Sequence, residues 1–368
     1  MSGPVPRLIG LATAAPEPLV PQARIRELVE RLFEGGPAGY SRLLQVFDHS
    51  GIETRSVCMP LEWYTEPRTF AEQNALYVEH ALRLGASAAS RALAAAGLAA
   101  TAVDHVVFVS TTGLATPSLD ARISLALGCR PDCRRTPVWG LGCAGGAAGV
   151  ARARDLALAD PAAVVLLVAV ELCSLTFRHA DRDKRNLVAT SLFSDGAAAA
   201  VIVGAAARAA GASPGARPKR ALELVGSGST LWPDTLDVMG WEVSGDGLHV
   251  VFSRDIPTIA RERVKPFLEQ FLARQGLSLA DVAHVVAHPG GAKVLEAYAT
   301  SLAWPDAGLA HARTELRVHG NMSSPSCLFV LERFLEAGDI GEGEYALLLA
   351  LGPGFSAESV LLRGAAGG

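Results

Sequence analysis

Three short stretches of the chain hold residue types that could do chemistry, and the first surrounds Cys143. This cysteine lies in WGLGCAGGAAG, where small residues lead into an alanine-rich helical pattern. The dipole at the start of a helix favours a thiolate, and glycine neighbours let a substrate approach closely. A buried structural cysteine in a glycine-rich turn is the alternative for this residue taken alone.

The second and third stretches contain His288 and Asn321. His288 follows a strand-like run and precedes Pro289 and two glycines, where a base or an oxyanion donor would lie. Asn321, in VHGNMSSPS, can donate to an oxyanion without changing its charge. A loop histidine and a turn or capping asparagine are the alternatives. Together with Cys143, the two residues suit acyl transfer through a thioester.

The order Cys, His, Asn also fits a papain-like cysteine protease. Such enzymes carry the cysteine near the mature N-terminus in a C-G-[SA]-C-[WY] pattern and are usually secreted. Here Cys143 is central, its context is GCAGG, and MSGPVPRLIG lacks the apolar region of a signal peptide. These features argue against a protease.

Length and composition predict a large interior that could position these residues. The chain has 368 residues, of which 50% are hydrophobic and 19% charged, so it suits two domains or one duplicated domain. The net charge of -4 argues against nucleic-acid binding. No apolar run approaches the ~18 residues of a membrane span. We expect a cytoplasmic protein.

The six cysteines predict neither disulfides nor a metal site. They form no CxxC pair, and a chain of this size without a signal peptide does not suit a disulfide framework. Cys129 and Cys133 lie in CRPDC, but a zinc site would need two further ligands at suitable spacing.

Alanine-rich stretches alternate with short β-branched runs, which predicts an α/β fold. Two halves, 1–207 and 208–368, look weakly alike, and the segment 205–220 is the expected linker. The similarity indicates duplication of a βα unit, with chance likeness of apolar strands as the alternative. The matching runs are DHVVFVS with AHVVA, AVVLLVAV with YALLLAL, and SDGAAAAVIVG with SAESVLLRG.

Seven motifs in this order resemble the type III polyketide synthases, the chalcone-synthase-like branch of the thiolase fold. They are GCAGG around Cys143, TFR at 176–178, LFSDGAAAA at 192–200, GLHVVFSRDIP at 247–257, HPGG at 288–291, GNMSSPS at 320–326 and GPGF at 352–355. The resemblance implies a five-layered αβαβα fold of two similar halves and a homodimer. It also implies that Cys143 carries the starter and the growing chain.

The resemblance further implies roles for other residues. Cys143 thiolate would pair with His288 imidazolium, while His288 and Asn321 would promote decarboxylation of malonyl-CoA. Phe193 matches a gatekeeper phenylalanine, and Val250 replaces a second one. The remaining expected cavity positions are Thr111, Thr112, Thr176, Ser323, Trp241 and Thr116. Trp241 falls near the position where the plant enzymes of the family carry a cavity glycine, and Thr116 lies on the loop that crosses the dimer.

Coenzyme A thioesters are the implied substrates, with no metal or other cofactor. Arg55 is the expected contact for the CoA phosphates, with a solvated surface arginine as the alternative. Gly290 and Gly291 would let the pantetheine arm pass close to the backbone.

The runs GLGCAGG, MGWEV and SRDIP look most like bacterial alkylpyrone and alkylresorcinol synthases, which take long fatty acyl-CoA starters. The expected function is therefore loading of a medium- or long-chain acyl group, iterative condensation with malonyl-CoA and cyclisation. Two alternatives stay open. One is an initiating ketoacyl synthase of fatty-acid synthesis, which makes a single condensation on a carrier protein. The other is a catalytically silent acyl-binding protein.

Overall fold

The structure is a computed structural model that describes residues 5–33, 43–179, 181, 183–207 and 221–366. Its strands are β1 (Arg7–Ala14), β2 (Val20–Pro21), β3 (Thr54–Arg55), β4 (His105–Val109), β5 (Arg134–Val138), β6 (Val164–Leu172), β7 (Asp195–Val203), β8 (Leu222–Leu231), β9 (Met239–Ser244), β10 (Gly247–Phe252), β11 (Val282–Ala287), β12 (Tyr345–Gly352) and β13 (Ser356–Gly364). Its α-helices are α1 (Gln22–Leu32), α2 (Gln45–Asp48), α3 (Phe70–Ala96), α4 (Leu119–Leu127), α5 (Gly145–Ala159), α6 (Lys184–Leu192), α7 (Ile256–Ala273), α8 (Ala292–Ser301), α9 (Ala310–His319) and α10 (Ser326–Ala337).

The main sheet consists of two similar halves. Its strand order is β11-β12-β13-β8-β1-β7-β6-β4-β5, and the central β1–β8 pairing involves only two residue pairs. On one side β4 is parallel to β6, which is antiparallel to β7, which is antiparallel to β1. On the other side β11, β12, β13 and β8 repeat these directions.

The repeated topology agrees with the three pairs of similar strand sequences. DHVVFVS and AHVVA form β4 and β11, AVVLLVAV and YALLLAL form β6 and β12, and the third pair forms β7 and β13. Each pair occupies equivalent places in the two half-sheets. The boundary between 207 and 208 stays a prediction, since residues 208–220 of the expected linker lie outside the described part of the chain.

Helices α5 and α10 form the middle of five layers. Both are buried along most of their length and pack against strands of both half-sheets. In β6, Val165 and Leu167 face this central layer, whereas Leu166 and Val168 face the outer helix α3. A strand covered on both faces is apolar at every position, which explains the uninterrupted run in the sequence.

The alanine-rich stretch at residues 80–97 predicts a helix, and helix α3 begins ten residues before that stretch. The reason is a capping box, in which the Thr69 side chain accepts from the Glu72 backbone and the Glu72 carboxylate accepts from Thr69. Gly97, in the left-handed conformation, ends the helix.

Candidate active site

Cys143 lies in a one-turn 3₁₀ helix, Gly142–Ala144, that runs directly into α5. Gly142 has φ +46°, and an added Cβ there would lie 2.9 Å from the Pro353 ring, so this turn needs glycine. The Gly142 N–H donates to Thr111 Oγ1 at 3.0 Å. The thiol is buried, with 8% of the residue exposed, at the predicted helix start.

Asn321 reaches the thiol from the other half of the chain. Its Oδ1 accepts from the Ser323 N–H at 2.8 Å, and its Nδ2 donates to Gly290 O at 3.2 Å. These two bonds fix which way the amide points. Both amide atoms lie 4.0 Å from Cys143 Sγ, so the second Nδ2 proton is available at the thiol.

The approach of the two halves depends on Gly146 in the first turn of α5. A Cβ at Gly146 would lie 2.2 Å from Ser324 O and 2.6 Å from Cys327 Sγ. The turn that carries Asn321 therefore packs directly on the helix backbone behind Cys143. An alanine at this position would push the two segments apart.

His288 lies at the end of β11, as its position in the sequence predicted. Its N–H donates to Leu349 O at 2.8 Å, and only 2% of the residue is exposed. Neither ring nitrogen has a hydrogen-bond partner in the described part of the chain. Because Gly290 bonds the Asn321 amide, the loop after His288 joins the cysteine and the asparagine in one site.

Burial controls the protonation of the Cys143 thiol and the His288 imidazole. It raises the pKa of the Cys143 thiol to about 11, and hydrogen bonds with Ser323 and Asn321 only partly oppose this. Burial lowers the pKa of His288 to about 3. Burial therefore favours the neutral form of each group, and the thiolate–imidazolium pair stays a prediction.

A buried carboxylate that the sequence reasoning missed lies beside the site. Glu171, at the end of β6, accepts from the N–H groups of Thr111 and Thr112, the Thr112 hydroxyl and the Ser324 hydroxyl. Burial raises its pKa to about 7, although these donors act in the opposite direction. A lone acidic residue ending an otherwise apolar run was the signal that could have identified it.

A largely apolar cavity, partly open to solvent, lies next to the site. Its wall includes Thr176, Phe193, Trp241 and Val250, four of the expected cavity residues. Phe193 separates this space from the catalytic side chains, because its backbone pairs with Asn321 while its ring lines the cavity.

The Phe193 ring lies in an aromatic stack that the sequence reasoning did not foresee. Its centroid is 6.0 Å from Trp241 and 5.6 Å from Phe252. The hairpin β9–β10 supplies both partners and pairs Trp241 with Val250 across the strands. A smaller space, lined by Thr112, shares Thr176 and Leu248 with the larger cavity.

Arg55 is not where a phosphate contact should be. It is 2% exposed, and its Nη1 donates to the carbonyls of Thr190 and Phe193. The expectation that it binds CoA phosphates at the surface is wrong, because its donors hold backbone inside the protein. A solvated surface arginine is wrong for the same reason.

The other predicted positions lie as follows. Thr116 is exposed on the loop before α4, and Ser323 is buried beside Asn321. Gly290 bonds Asn321 through its carbonyl, and Gly291 is the residue at which α8 begins. The described residues contain no group of three or more His, Cys, Asp or Glu that could hold a metal ion. No described helix is long and apolar enough to cross a membrane.

A duplicated five-layered α/β fold, with a cysteine at the central helix and a histidine and an asparagine from the second half, defines the thiolase-like condensing enzymes. Family comparisons are more specific. Residues 3–207 match the N-terminal domain of chalcone and stilbene synthases, and residues 223–366 match the C-terminal domain. The chain belongs to this family and is a type III polyketide synthase.

Individual relatives agree with this assignment. The chain is 40% identical over 359 residues to a putative chalcone synthase of Bacillus subtilis, covering 96% of this chain and 97% of that protein. It is also 40% identical over 351 residues to a 1,3,6,8-tetrahydroxynaphthalene synthase of Streptomyces peucetius, covering 95% and 91%. The crystal structure of the Streptomyces coelicolor tetrahydroxynaphthalene synthase superposes with a TM-score of 0.90 at 29% identity, covering 98% and 99%.

Family membership establishes the class of reaction. The protein is a condensing acyltransferase, and enzymes of this family use CoA thioesters and need no cofactor. The matched family is the one that the sequence motifs indicated, rather than the initiating ketoacyl synthases.

Proposed function

We propose that this enzyme loads a medium- or long-chain fatty acyl group on Cys143, extends it with malonyl-CoA and cyclises it to an alkylpyrone or alkylresorcinol. The observation that carries the proposal is the largely apolar lining of the cavity next to Phe193. Each methylene buried there contributes about 0.8 kcal/mol, so the cavity favours alkyl chains over polar starters.

Loading begins with the neutral thiol. As Cys143 Sγ attacks the acyl-CoA carbonyl, its proton passes to His288, whose ring nitrogens are unpartnered and can accept it. The acyl–sulfur bond to CoA breaks, and the CoA thiolate takes a proton as it leaves. Proton transfer during the attack avoids two separated charges in a buried site.

Extension uses His288 and Asn321 as an oxyanion site. We assign the malonyl thioester oxygen to the space between the His288 ring and the free Asn321 Nδ2 proton, where the enolate charge develops as carbon dioxide leaves. The enolate carbon attacks the acyl-cysteine carbonyl, the bond to Cys143 Sγ breaks, and the lengthened chain is carried by CoA. It returns to Cys143 for the next round.

Other positions have supporting roles in this proposal. Thr176, Trp241 and Val250 shape the larger cavity. Thr112 lines the smaller one, Thr111 holds the Gly142 turn, and Ser323 orients the Asn321 amide. We assign Gly290 and Gly291 to the wall beside the pantetheine arm.

We also propose that the enzyme is a homodimer. Edge strand β5 is mostly exposed, and Leu125 and Trp139 near it are 83% and 50% exposed. Unpaired strand edges and apolar surface are typical of an interface. Thr116 is exposed on the loop before α4, and we assign it to the partner's cavity. Light scattering should give twice the chain mass; a monomer at working concentration would contradict this proposal. The cytoplasmic location stays a prediction.

A second candidate is synthesis of a product without an alkyl tail. The 40% identity to a tetrahydroxynaphthalene synthase favours it, because that product's name denotes a hydroxylated ring system only.

A panel of acyl-CoA starters from two to eighteen carbons, each with ¹³C-labelled malonyl-CoA, separates the candidates. We expect several labelled two-carbon units on starters of medium or long chain, detected by mass spectrometry. A tetrahydroxynaphthalene from malonyl-CoA alone would support the second candidate. A single addition that needs an acyl carrier protein would instead support the ketoacyl synthase alternative.

A further inference from the structure

The end of helix α6 is held by residues from distant parts of the chain. The last four carbonyls of a helix have no partner within it and must find one elsewhere. Here Ala189 O accepts from Phe193 N, and Leu192 O accepts from Asn321 N. Ser191 O accepts from the Gln22 side chain, and Thr190 O accepts from Arg55.

Arg55 differs from the other donors because it brings a charge. Its Nη1 donates both to Thr190 O and, at 2.8 Å, to Phe193 O, the first residue beyond the helix. A cation at a helix C-terminus is favoured by the helix dipole. Burial lowers the pKa of Arg55 to about 10, with Asp195 opposing the shift, so the guanidinium stays charged near neutral pH.

The same side chain packs against the segment that carries the catalytic amide. Gly320 precedes Asn321 with φ +76°, and an added Cβ there would lie 3.1 Å from Arg55 Cγ and 3.2 Å from Cδ. Asn321 in turn pairs with both sides of Phe193, through Leu192 O and through Ser194 N. Arg55 therefore contacts both backbone segments that meet at this pairing.

We propose that Arg55 is a positioning residue, which holds the turn after α6 so that Phe193 closes the larger cavity and Asn321 keeps its amide at Cys143. Arg55 also lines the larger cavity, but the hydrogen bonds of its Nη1 go to the backbone of Thr190 and Phe193 rather than to the three catalytic side chains. The effect on the cavity rests on the proposed function. The effect on Asn321 concerns decarboxylation of malonyl-CoA, which does not depend on which starter the enzyme accepts.

The test compares Arg55→Met with Gln22→Met, which removes a donor from the same helix end without touching Phe193 or Gly320. Decarboxylation is measured with malonyl-CoA and with malonyl-N-acetylcysteamine, which has no phosphates. We expect Arg55→Met to lower kcat roughly 10- to 100-fold on both thioesters, with KM within about threefold of wild type. Gln22→Met should stay within about threefold in kcat.

Two further variants keep the test decisive if Arg55→Met does not fold. Arg55→Lys retains a charged donor and should recover part of the lost kcat, whereas Gly320→Ala should lower it by displacing the arginine. A loss of kcat confined to the CoA ester would show a phosphate contact and overturn the proposal. An equal loss of kcat in Gln22→Met would also overturn it. So would an unchanged kcat in every Arg55 and Gly320 variant that folds. Failure of the fatty acyl proposal is a separate result, since it shows only in the wild-type products.

Discussion

At the residue scale, the chemistry of this site is governed by burial. Cys143, His288 and Asn321 are each at most 8% exposed, and the described residues around the His288 ring offer it no hydrogen-bond partner. Such a ring can take a proton from the thiol or donate to a substrate oxygen without first breaking another bond. Low dielectric around the site also strengthens the attraction between its donors and a developing oxyanion.

Replacing the nucleophile should abolish loading. We expect Cys143→Ala to form no acyl-enzyme with any acyl-CoA, because the Cys143 Sγ lies 4.0 Å from both amide atoms of Asn321. Intact-protein mass spectrometry checks this. Cys173→Ala, which removes a buried thiol from the cavity wall, is the control and should still load. An acyl adduct on Cys143→Ala would reject Cys143 as the nucleophile.

Removing the amide should slow carbanion formation more than loading. Asn321→Ala is expected to lower malonyl-CoA decarboxylation by at least ~10²-fold, as for loss of one oxyanion donor. Release of labelled carbon dioxide measures the rate. Gln270→Ala, which removes an exposed amide from α7, should leave it unchanged. A wild-type rate in Asn321→Ala would show that the amide has no role in this step.

At the scale of elements, the hairpin β9–β10 decides the shape of the cavity. It places Trp241 and Phe252 against the ring of Phe193 and sets Val250 opposite Trp241. The hairpin is a separate two-stranded sheet, tied to the rest of the fold partly by an ion pair between Arg178 and Asp246. Side chains on its inner face can therefore alter the cavity without disturbing the main sheet.

A larger side chain on this inner face should shorten the accepted starters. We expect Val250→Phe to shift the preferred acyl-CoA to shorter chains, because the ring occupies space that alkyl carbons would fill. Product profiles from the acyl-CoA panel measure the shift. Val243→Phe adds the same ring at a position that is 56% exposed on the hairpin and should leave the profile unchanged. If both variants keep the wild-type profile, Val250 does not limit chain length.

At the scale of the whole molecule, each half of the duplicated fold supplies part of the site. Cys143 comes from the first half and His288 and Asn321 from the second, and close packing of α5 on the turn after Asn321 brings them together. Assembling a buried site from two halves leaves an unpaired histidine in the interior. Folding therefore requires that this imidazole be neutral.

The free energy of unfolding should consequently decrease as the pH is lowered, because of His288. Its pKa is lowered from 6.5 to about 3, so below pH 6.5 the unfolded chain binds a proton that the folded protein does not. The free energy of unfolding then decreases by about 1.4 kcal/mol per pH unit for this group, starting below pH 6.5. Urea unfolding at pH 7.5 and 4.5 should show a loss about 2–3 kcal/mol smaller in His288→Gln than in wild type. Equal losses in the two proteins would contradict a buried neutral imidazole.

Much of the fold and of the reacting groups could be predicted from local sequence. Apolar runs indicated β4, β6, β11 and β12 because both faces of those strands are covered, and that requirement acts at every residue. The glycines around Cys143 indicated a tight turn before a helix, since the turn's own backbone angles demand them. The similar strand sequences of the two halves predicted the repeated strand order, because equivalent strands in the two half-sheets are covered in the same way.

Only the tertiary structure decided how far each polar group is from water and what it meets there. Arg55 looks like any surface cation in the sequence, yet the end of α6 and Gly320 enclose it. Glu171 and Phe252 join the site through segments far from them in the chain. Burial also shifts the pKa values of Cys143 and His288 towards their neutral forms, which opposes the expected ion pair. Desolvation and long-range contact depend on the whole packed molecule, and no local pattern of residues encodes them.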